Sequence, residues 1–131
     1  MTKEKRIEIY NKYDGHCYLC GCDLKKGWHI DHVIPITRKY RYEAKNGKSV
    51  KVFTVLNPEN ENIDNLKPAC ASCNINKRAK TIDEFRDFIY YMYESLKERN
   101  VNYQVCERYG LITADEQKEI KFYFEQQGEK K

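Results

Sequence analysis

Four cysteines form two pairs with the spacing of a metal-binding knuckle. Cys17 and Cys20 make the first Cys-x-x-Cys pair, and Cys70 and Cys73 make the second. At this spacing both thiolates of a pair can reach one tetrahedral Zn²⁺, with zinc–sulfur distances of about 2.3 Å. Four thiolates leave no open coordination position, so the sequence predicts a structural zinc site and places any catalysis elsewhere.

The remaining cysteines leave alternatives open. Cys22 is close enough in sequence to replace Cys17 or Cys20 as a ligand, and His16 is a neighbour as well. Cys106 falls on a predicted helix, where we interpret it as a small buried apolar residue, with a disulfide to Cys22 as the alternative. Metal binding is favoured over disulfides because nothing in the sequence directs the chain to an oxidising compartment.

Polar residues between and after the cysteine pairs occur in a distinctive order. The chain reads His29-Ile30-Asp31-His32, then Asp64-Asn65-Leu66, then Cys73-Asn74-Ile75-Asn76-Lys77. In this order, with both cysteine pairs, residues 17–80 resemble the HNH nuclease family. The C-terminal residues 120–125 also look like those of small phage-encoded HNH proteins. The resemblance implies a metal-dependent DNA endonuclease that hydrolyses phosphodiester bonds and leaves 5′-phosphate ends.

The resemblance also implies a role for each polar residue. His32 occupies the position of the general base, which suits an imidazole with a pKa of about 6.5. Asp31 and Asn74 would hold Mg²⁺ or Mn²⁺; many members carry His where this chain has Asn74, and the substitution resembles that in the HNH domain of CRISPR effector nucleases. Asn65 matches the middle asparagine, which hydrogen bonds to the backbone of the loop behind the histidine.

These roles require an irregular strand. Adjacent strand residues point to opposite faces, so Asp31 and His32 can serve one site only if the backbone bends there. His29 is left open between an approach to the metal and an accessory or structural role. Taken singly, His32 could instead be a half-buried structural residue, and the asparagines could be turn or cap residues.

A basic block supplies the expected contacts to DNA. Residues 25–80 carry 12 Lys or Arg against 5 Asp or Glu, a local charge of +7 within a chain of net charge +4. Clustered cations of this kind bind a phosphate backbone by releasing its condensed counterions. The predicted phosphate contacts are Lys77 and Arg78 on a helix, and the hairpin residues Arg38, Lys39, Arg41, Lys48 and Lys51.

The elements that must position these residues can be predicted from local patterns. A helix is expected over residues 3–14, and a β-prone run over 28–34 is interrupted by Pro35. Residues alternate on either side of Asn46-Gly47, which predicts a hairpin. A further helix is expected to begin near Cys70.

The C-terminal third is expected to be mostly helical. A capping-box pattern over residues 81–84 precedes apolar residues at helical spacing, which predicts a long helix that ends near Asn100. A short helix is expected over 102–109. Residues 120–125 alternate with a period of two, which favours a strand, with a continuing helix as the alternative.

Composition bounds the class of protein. With 131 residues, of which 40% are hydrophobic and 34% charged, a single domain with a modest core is expected. No apolar run approaches the roughly 20 residues that span a bilayer, and the N-terminus is charged and amphipathic. We therefore expect a cytoplasmic protein of a bacterial or phage-infected cell, without a membrane partner.

The sequence as a whole predicts one α+β domain over residues 1–131. A ββα-metal core over about 15–80 would carry the four-cysteine zinc site, and a helical extension would span about 81–131. The predicted function is a Mg²⁺- or Mn²⁺-dependent endonuclease acting on DNA, expected to be double-stranded, with the oligomeric state open. One alternative is a non-catalytic zinc-ribbon DNA-binding module. Another is a zinc-stabilised protein adaptor, but that alternative leaves the basic block without a function.

Overall fold

The structure, a computed structural model, describes residues 1–113 and 118–129 and has an α+β architecture. It divides into two units, the first formed by residues 1–81 with the segment from Phe122 onward and the second by residues 82–121. The predicted extension over 81–131 is thus shared between both units, and its residues 114–117 and 130–131 lie outside the described residues. The helices and strands in chain order are α1 (Lys3–Asn11), β1 (His29–His32), β2 (Arg38–Lys45), β3 (Lys48–Val55), β4 (Leu66–Ala69), α2 (Ala71–Lys77), α3 (Ile82–Arg99), α4 (Val101–Arg108) and α5 (Tyr123–Glu129).

A two-stranded antiparallel sheet forms the centre of the first unit. β1 pairs with β4 in a register that sets His29 opposite Ala69 and His32 opposite Leu66. α2 packs against β1, and α1 packs against β4. The core that these elements share is small; its buried apolar residues are Ile9, Cys17, Tyr18, Leu19, Pro68, Ala69 and Phe122. A core of this size is consistent with the need for a further stabilising element such as a metal ion.

The first cysteine pair lies in a tight turn that the C-terminal segment covers. The turn closes by a bond from the Gly21 N–H to the Cys17 carbonyl, 2.9 Å, and Gly21 has a φ of +80°, which favours glycine. The N–H groups of Tyr123 and Phe124, at the start of α5, donate to the carbonyls of Leu19 and Tyr18, both at 2.9 Å. The first N–H groups of a helix have no partner within it, so this docking satisfies them.

The strand predicted over residues 120–125 is wrong, because α5 begins at Tyr123. The alternation that suggested a strand has another cause. Phe122 is buried, and the Phe124 ring lies 5.6 Å from the ring of Tyr18. The apolar residues of this segment therefore face the cysteine turn, and the helical alternative describes the segment from Tyr123 onward.

The predicted hairpin is confirmed. β2 and β3 pair over their full lengths, from Arg38 opposite Val55 to Lys45 opposite Lys48. The turn residues Asn46 and Gly47 both have positive φ, +50° and +75°, as the Asn-Gly signal predicts. Most side chains of both strands are exposed, and the two strands form a sheet of their own.

The second unit is helical. α3 and α4 pack together, with Phe85 and Tyr103 buried. The Gln104 amide donates to the carbonyls of Lys97 and Glu98, which lie in the last turn of α3. In the part of the chain that the structure describes, no helix has the length and apolar character needed to cross a membrane.

Candidate metal cluster and polar cleft

Four cysteine sulfurs converge at one end of the first unit. The Sγ atoms of Cys17, Cys20, Cys70 and Cys73 all lie within 4.8 Å of one another. Four sulfurs at about 2.3 Å from a tetrahedral ion would be separated from one another by about 3.8 Å. The Sγ atoms of Cys20 and Cys70 are 3.9 Å apart, so these cysteines can bind a metal ion such as zinc. The cluster joins the turn before β1 to the start of α2.

The thiols of the cluster do not ionise equally. A hydrogen bond from the Cys73 thiol lowers the pKa of Cys17 to about 4 and favours its thiolate, the form that binds metal, whereas burial raises the pKa of Cys20 and the hydrogen bond to Cys17 raises the pKa of Cys73. Cys22 is exposed and lies outside the quartet, although its thiol reaches Cys20 and Cys70. All six cysteines are described, and none forms a disulfide. Cys106 is half-buried rather than fully buried.

Tyr18, between the two cysteines of the first pair, connects the cluster to β1. Its side chain is 1% exposed, and its hydroxyl donates a hydrogen bond to Oδ2 of Asp31. Burial, and then the charge of Asp31, raise the pKa of this hydroxyl far above its usual range, so it remains a donor. The position of Asp31 therefore depends on the cysteine turn. Sequence reasoning missed Tyr18, because a tyrosine inside a Cys-x-x-Cys pair carries no signal of its own.

Lys77 is buried beside Asp31, and the prediction that it contacts a phosphate is wrong. Its side chain is fully buried, and its ammonium lies 3.1 Å from Oδ2 of Asp31 and 3.1 Å from the carbonyl oxygen of His32. The helical spacing did place Lys77 on the same face of α2 as Asn74, but α2 packs against β1, and the side chain of Lys77 is fully covered there. Lys77 therefore holds the end of β1 in place.

One carboxylate oxygen of Asp31 has no hydrogen-bond or ion-pair partner among the described residues. Its side chain is 5% exposed, and both of its contacts within the described residues, to Tyr18 and to Lys77, fall on Oδ2. Among the described residues, no fully buried side-chain oxygen lacks a hydrogen-bond partner. Oδ1 of Asp31 has no such partner, so it must be accessible, and a cation could reach it. The neighbouring ammonium neutralises most of the carboxylate charge, so such a cation would also need anionic oxygens from a substrate.

His32 forms a pair with a carboxylate that the sequence did not reveal. Its Nε2 contacts Oε1 of Glu61, which lies in the loop before β4. With Nε2 donating to this carboxylate, Nδ1 carries the lone pair and can accept a proton. Glu61 was missed because it is 29 residues from His32 and sits in a loop rich in Asn and Glu.

Asn65 fixes the path of the chain after β1. Its Oδ1 accepts from the N–H of Ile34 at 2.8 Å, and its Nδ2 donates to the carbonyls of Ile34 and Asn60 at 2.9 and 2.8 Å. The backbone oxygen of Asn65 also accepts from the N–H of Val33, at 3.0 Å. Asn65 is 8% exposed, so these bonds are shielded from water. This is the contact with the loop behind His32 that the resemblance implied.

Asn74 lies beside His29 on the facing helix. Its Nδ2 donates to Nδ1 of His29 at 2.8 Å, which turns the amide so that Oδ1 is left for another partner. His29 and Asp31 are two residues apart on β1 and share a face. Because His29 accepts this hydrogen bond from Asn74, it orients the amide of Asn74.

Asp31, His32 and Asn74 line one cleft. This cleft of about 270 Å³ is also bordered by Arg38, at the start of the hairpin, and Arg78, at the end of α2. β1 pairs with β4 through both Asp31 and His32 and ends there, and the N–H of the next residue, Val33, donates to the carbonyl of Asn65. Arg78 is exposed and has a positive φ of +54°. Residues other than glycine adopt this conformation at a cost in free energy, mostly where the surrounding structure imposes it. The cleft thus combines an imidazole, a carboxylate, a side-chain amide and two guanidinium groups.

The other predicted DNA contacts lie along the hairpin. Lys39, Arg41, Lys48 and Lys51 are exposed, and Arg41 also pairs with Glu43 at 2.6 Å. Comparison of the chain with protein-family models, with curated proteins and with solved structures found no match. Any proposal about function therefore rests on the residues and contacts of the cleft and the cysteine cluster.

Proposed function

We propose that the chain is a metal-dependent DNA endonuclease of the HNH type, with β1, β4 and α2 as its ββα-metal core. The observation that carries the proposal is the cleft in which Asp31, His32 and Asn74 meet between Arg38 and Arg78. A general base, hard oxygen ligands and cations are the groups that phosphodiester hydrolysis requires. The cysteine cluster would bind Zn²⁺ and serve a structural purpose.

The proposed reaction assigns a step to each group. Nδ1 of His32 takes a proton from a water molecule, whose oxygen attacks the phosphorus atom. The bond from phosphorus to the 3′ oxygen breaks, which leaves a 5′-phosphate and a 3′-hydroxyl after that oxygen is protonated by solvent. Oδ1 of Asp31 and Oδ1 of Asn74 would hold Mg²⁺ or Mn²⁺, which would supply positive charge to the leaving oxygen. Arg38 and Arg78 would bind the adjacent phosphates.

The decisive experiment is relaxation of a supercoiled plasmid with and without Mg²⁺. The proposal expects nicked or linear product only when Mg²⁺ or Mn²⁺ is present, and 5′-phosphate ends on that product. An absence of product with every divalent cation tried, from a chain loaded with zinc, would refute the endonuclease.

One observation favours the non-catalytic alternative. The ion pair between Asp31 and Lys77 is buried, and a buried carboxylate paired in this way can be purely structural. In a zinc-ribbon DNA-binding module, the hairpin and the cysteine cluster would suffice. Such a module would bind DNA with the same salt dependence and yet leave the plasmid intact.

Glu61 is expected to act as a positioning residue for His32. Replacing Glu61 with alanine removes the acceptor for Nε2, so we expect kcat for DNA cleavage to fall about tenfold to a hundredfold with little change in KM. Glu61→Gln retains an oxygen acceptor and should restore most of the activity. Glu59→Ala, in the same loop and also exposed, is the control. Full activity in Glu61→Ala would show that His32 needs no such partner.

The hairpin cations are expected to set the salt dependence of DNA binding. Neutralising Arg38, Lys39, Arg41, Lys48 and Lys51 together should flatten the plot of log affinity against log salt concentration, by about 0.9 for each phosphate that the variant no longer neutralises. Affinity measured from about 50 to about 200 mM salt, the range where counterion release is visible, tests this. Neutralising the exposed Lys3 and Lys5 of α1 should leave the slope unchanged. An unaltered slope in the hairpin variant would exclude the hairpin from the interface.

A further inference from the structure

The hairpin exposes three large aromatic side chains. Tyr40, Tyr42 and Phe53 are 51%, 69% and 56% exposed, although aromatic residues in strands usually pack against a second layer. Within the part of the chain that the structure describes, β2 and β3 pair only with each other. A two-stranded hairpin is marginally stable by itself, so an exposed aromatic surface on it calls for a functional explanation.

The strand register gathers these aromatic rings with two cations on one face. Tyr40 is paired with Phe53, and Tyr42 is paired with Lys51. Because side chains alternate along a strand, Arg38 shares this face with them. The rings of Tyr40 and Phe53 lie 6.0 Å apart, the guanidinium of Arg38 lies 5.4 Å from the Phe53 ring, and the Lys51 ammonium lies 4.2 Å from the Tyr40 ring. We call these five residues the aromatic face.

We propose that the aromatic face binds unpaired nucleotides of the DNA substrate, a proposal that rests on the proposed function and deepens it. Aromatic rings stack on the faces of bases of any sequence, and neighbouring cations bind the phosphates between them. Residues 38–55 carry six Lys or Arg against one Glu, so the charge of the hairpin suits a polyanion. Tyr42 is the most exposed of the three rings and takes part in no ring contact with the described residues.

The aromatic face is continuous with the cleft. Arg38 belongs to both, since it begins β2 and borders the cleft that holds His32. In a fully paired duplex the base faces are hidden in the stack, and the rings of the hairpin could reach only edges and backbone. A substrate with unpaired bases next to the cleaved bond, such as a branched, gapped or mismatched DNA, exposes those faces. The aromatic face therefore selects DNA in which the helix is interrupted.

Binding without cleavage tests this proposal. Two labelled DNAs of equal length and charge, one fully paired and one with a short internal unpaired stretch, are titrated with the zinc-loaded chain in the absence of Mg²⁺ and followed by fluorescence anisotropy. We expect tighter binding to the interrupted DNA. Tyr42→Ala should weaken that binding about tenfold and leave the paired DNA almost unaffected, whereas Tyr42→Phe should bind as the unaltered chain does. Val50→Ala, on the opposite face of the same hairpin, is the control.

Two results would overturn the proposal. One is equal affinity of the unaltered chain for both DNAs, which decides the matter whether or not the variants fold. The other is an equal loss for both DNAs in Tyr42→Ala, which would mark the aromatic face as structural or as a surface for a protein. A preference for interrupted DNA that depends on Tyr42, in a chain that cleaves nothing, would uphold this inference and refute the nuclease. Cleavage of DNA without a preference for interrupted DNA would uphold the nuclease and refute this inference.

Discussion

Replacing His32 with alanine is expected to lower the rate of DNA cleavage by about 10²- to 10⁴-fold and to leave DNA affinity nearly unchanged. In the proposed reaction, His32 takes the proton of the attacking water, and no other described imidazole borders the cleft with it. In that reaction the arginines of the cleft and the hairpin would hold the phosphates, and the substitution leaves those arginines intact. Single-turnover cleavage, measured with saturating Mg²⁺, and anisotropy titrations without Mg²⁺ separate the two effects.

His16 offers a matched control for this substitution. It too pairs with a carboxylate, with Nε2 lying 3.1 Å from Oδ1 of Asp23, and its side chain is partly exposed. It is not among the residues that border the cleft. His16→Ala should therefore cleave DNA at nearly the rate of the unaltered chain. Equal losses in both variants would point to damaged folding, and full activity in His32→Ala would remove this residue from the mechanism.

Replacing Cys20 with serine is expected to abolish zinc binding by the cysteine cluster and to remove the cooperative folding of the first unit. Structural zinc sites contribute an apparent free energy of about 10–16 kcal/mol in small peptides, which is as large as the total stability of about 5–15 kcal/mol of an ordinary domain. Cys20 is exposed, so the substitution removes a ligand without opening a cavity in the core. Zinc content per chain and thermal unfolding followed by circular dichroism measure the result, and a chelator should reproduce it in the unaltered chain.

Cys22 is the control for Cys20. It is also exposed and lies in the same turn, but it is outside the quartet of close sulfurs. Cys22→Ser should therefore retain one zinc ion per chain and unfold at nearly the temperature of the unaltered chain. The reverse outcome, in which Cys22→Ser loses zinc and Cys20→Ser keeps it, would assign the fourth ligand to Cys22.

Local patterns were enough to predict most of the helices and strands and the cysteine cluster. The spacing of Cys17 with Cys20 and of Cys70 with Cys73 is a property of short segments, and their sulfurs do converge. The hairpin depends on Asn46-Gly47 and on the alternation beside it, and these too are local. The helix from Ile82 follows from the capping-box pattern of residues 81–84 and from the apolar spacing after it.

Only the tertiary structure decided which polar groups face one another. Lys77 lies three residues after Asn74, a spacing that suggested a cation exposed to the substrate. The packing of α2 against β1 instead buries its ammonium beside Asp31. Glu61 and Tyr18 reach His32 and Asp31 through loop and turn geometry that no periodic pattern encodes. The sequence by itself determined most of the helices and strands and the four cysteines of the cluster, because backbone preferences and ligand spacing act over a few residues; α5, where a strand was favoured, was not among them. The contacts of each charged group were decided by the folded chain, because burial and pairing depend on segments that are distant in sequence.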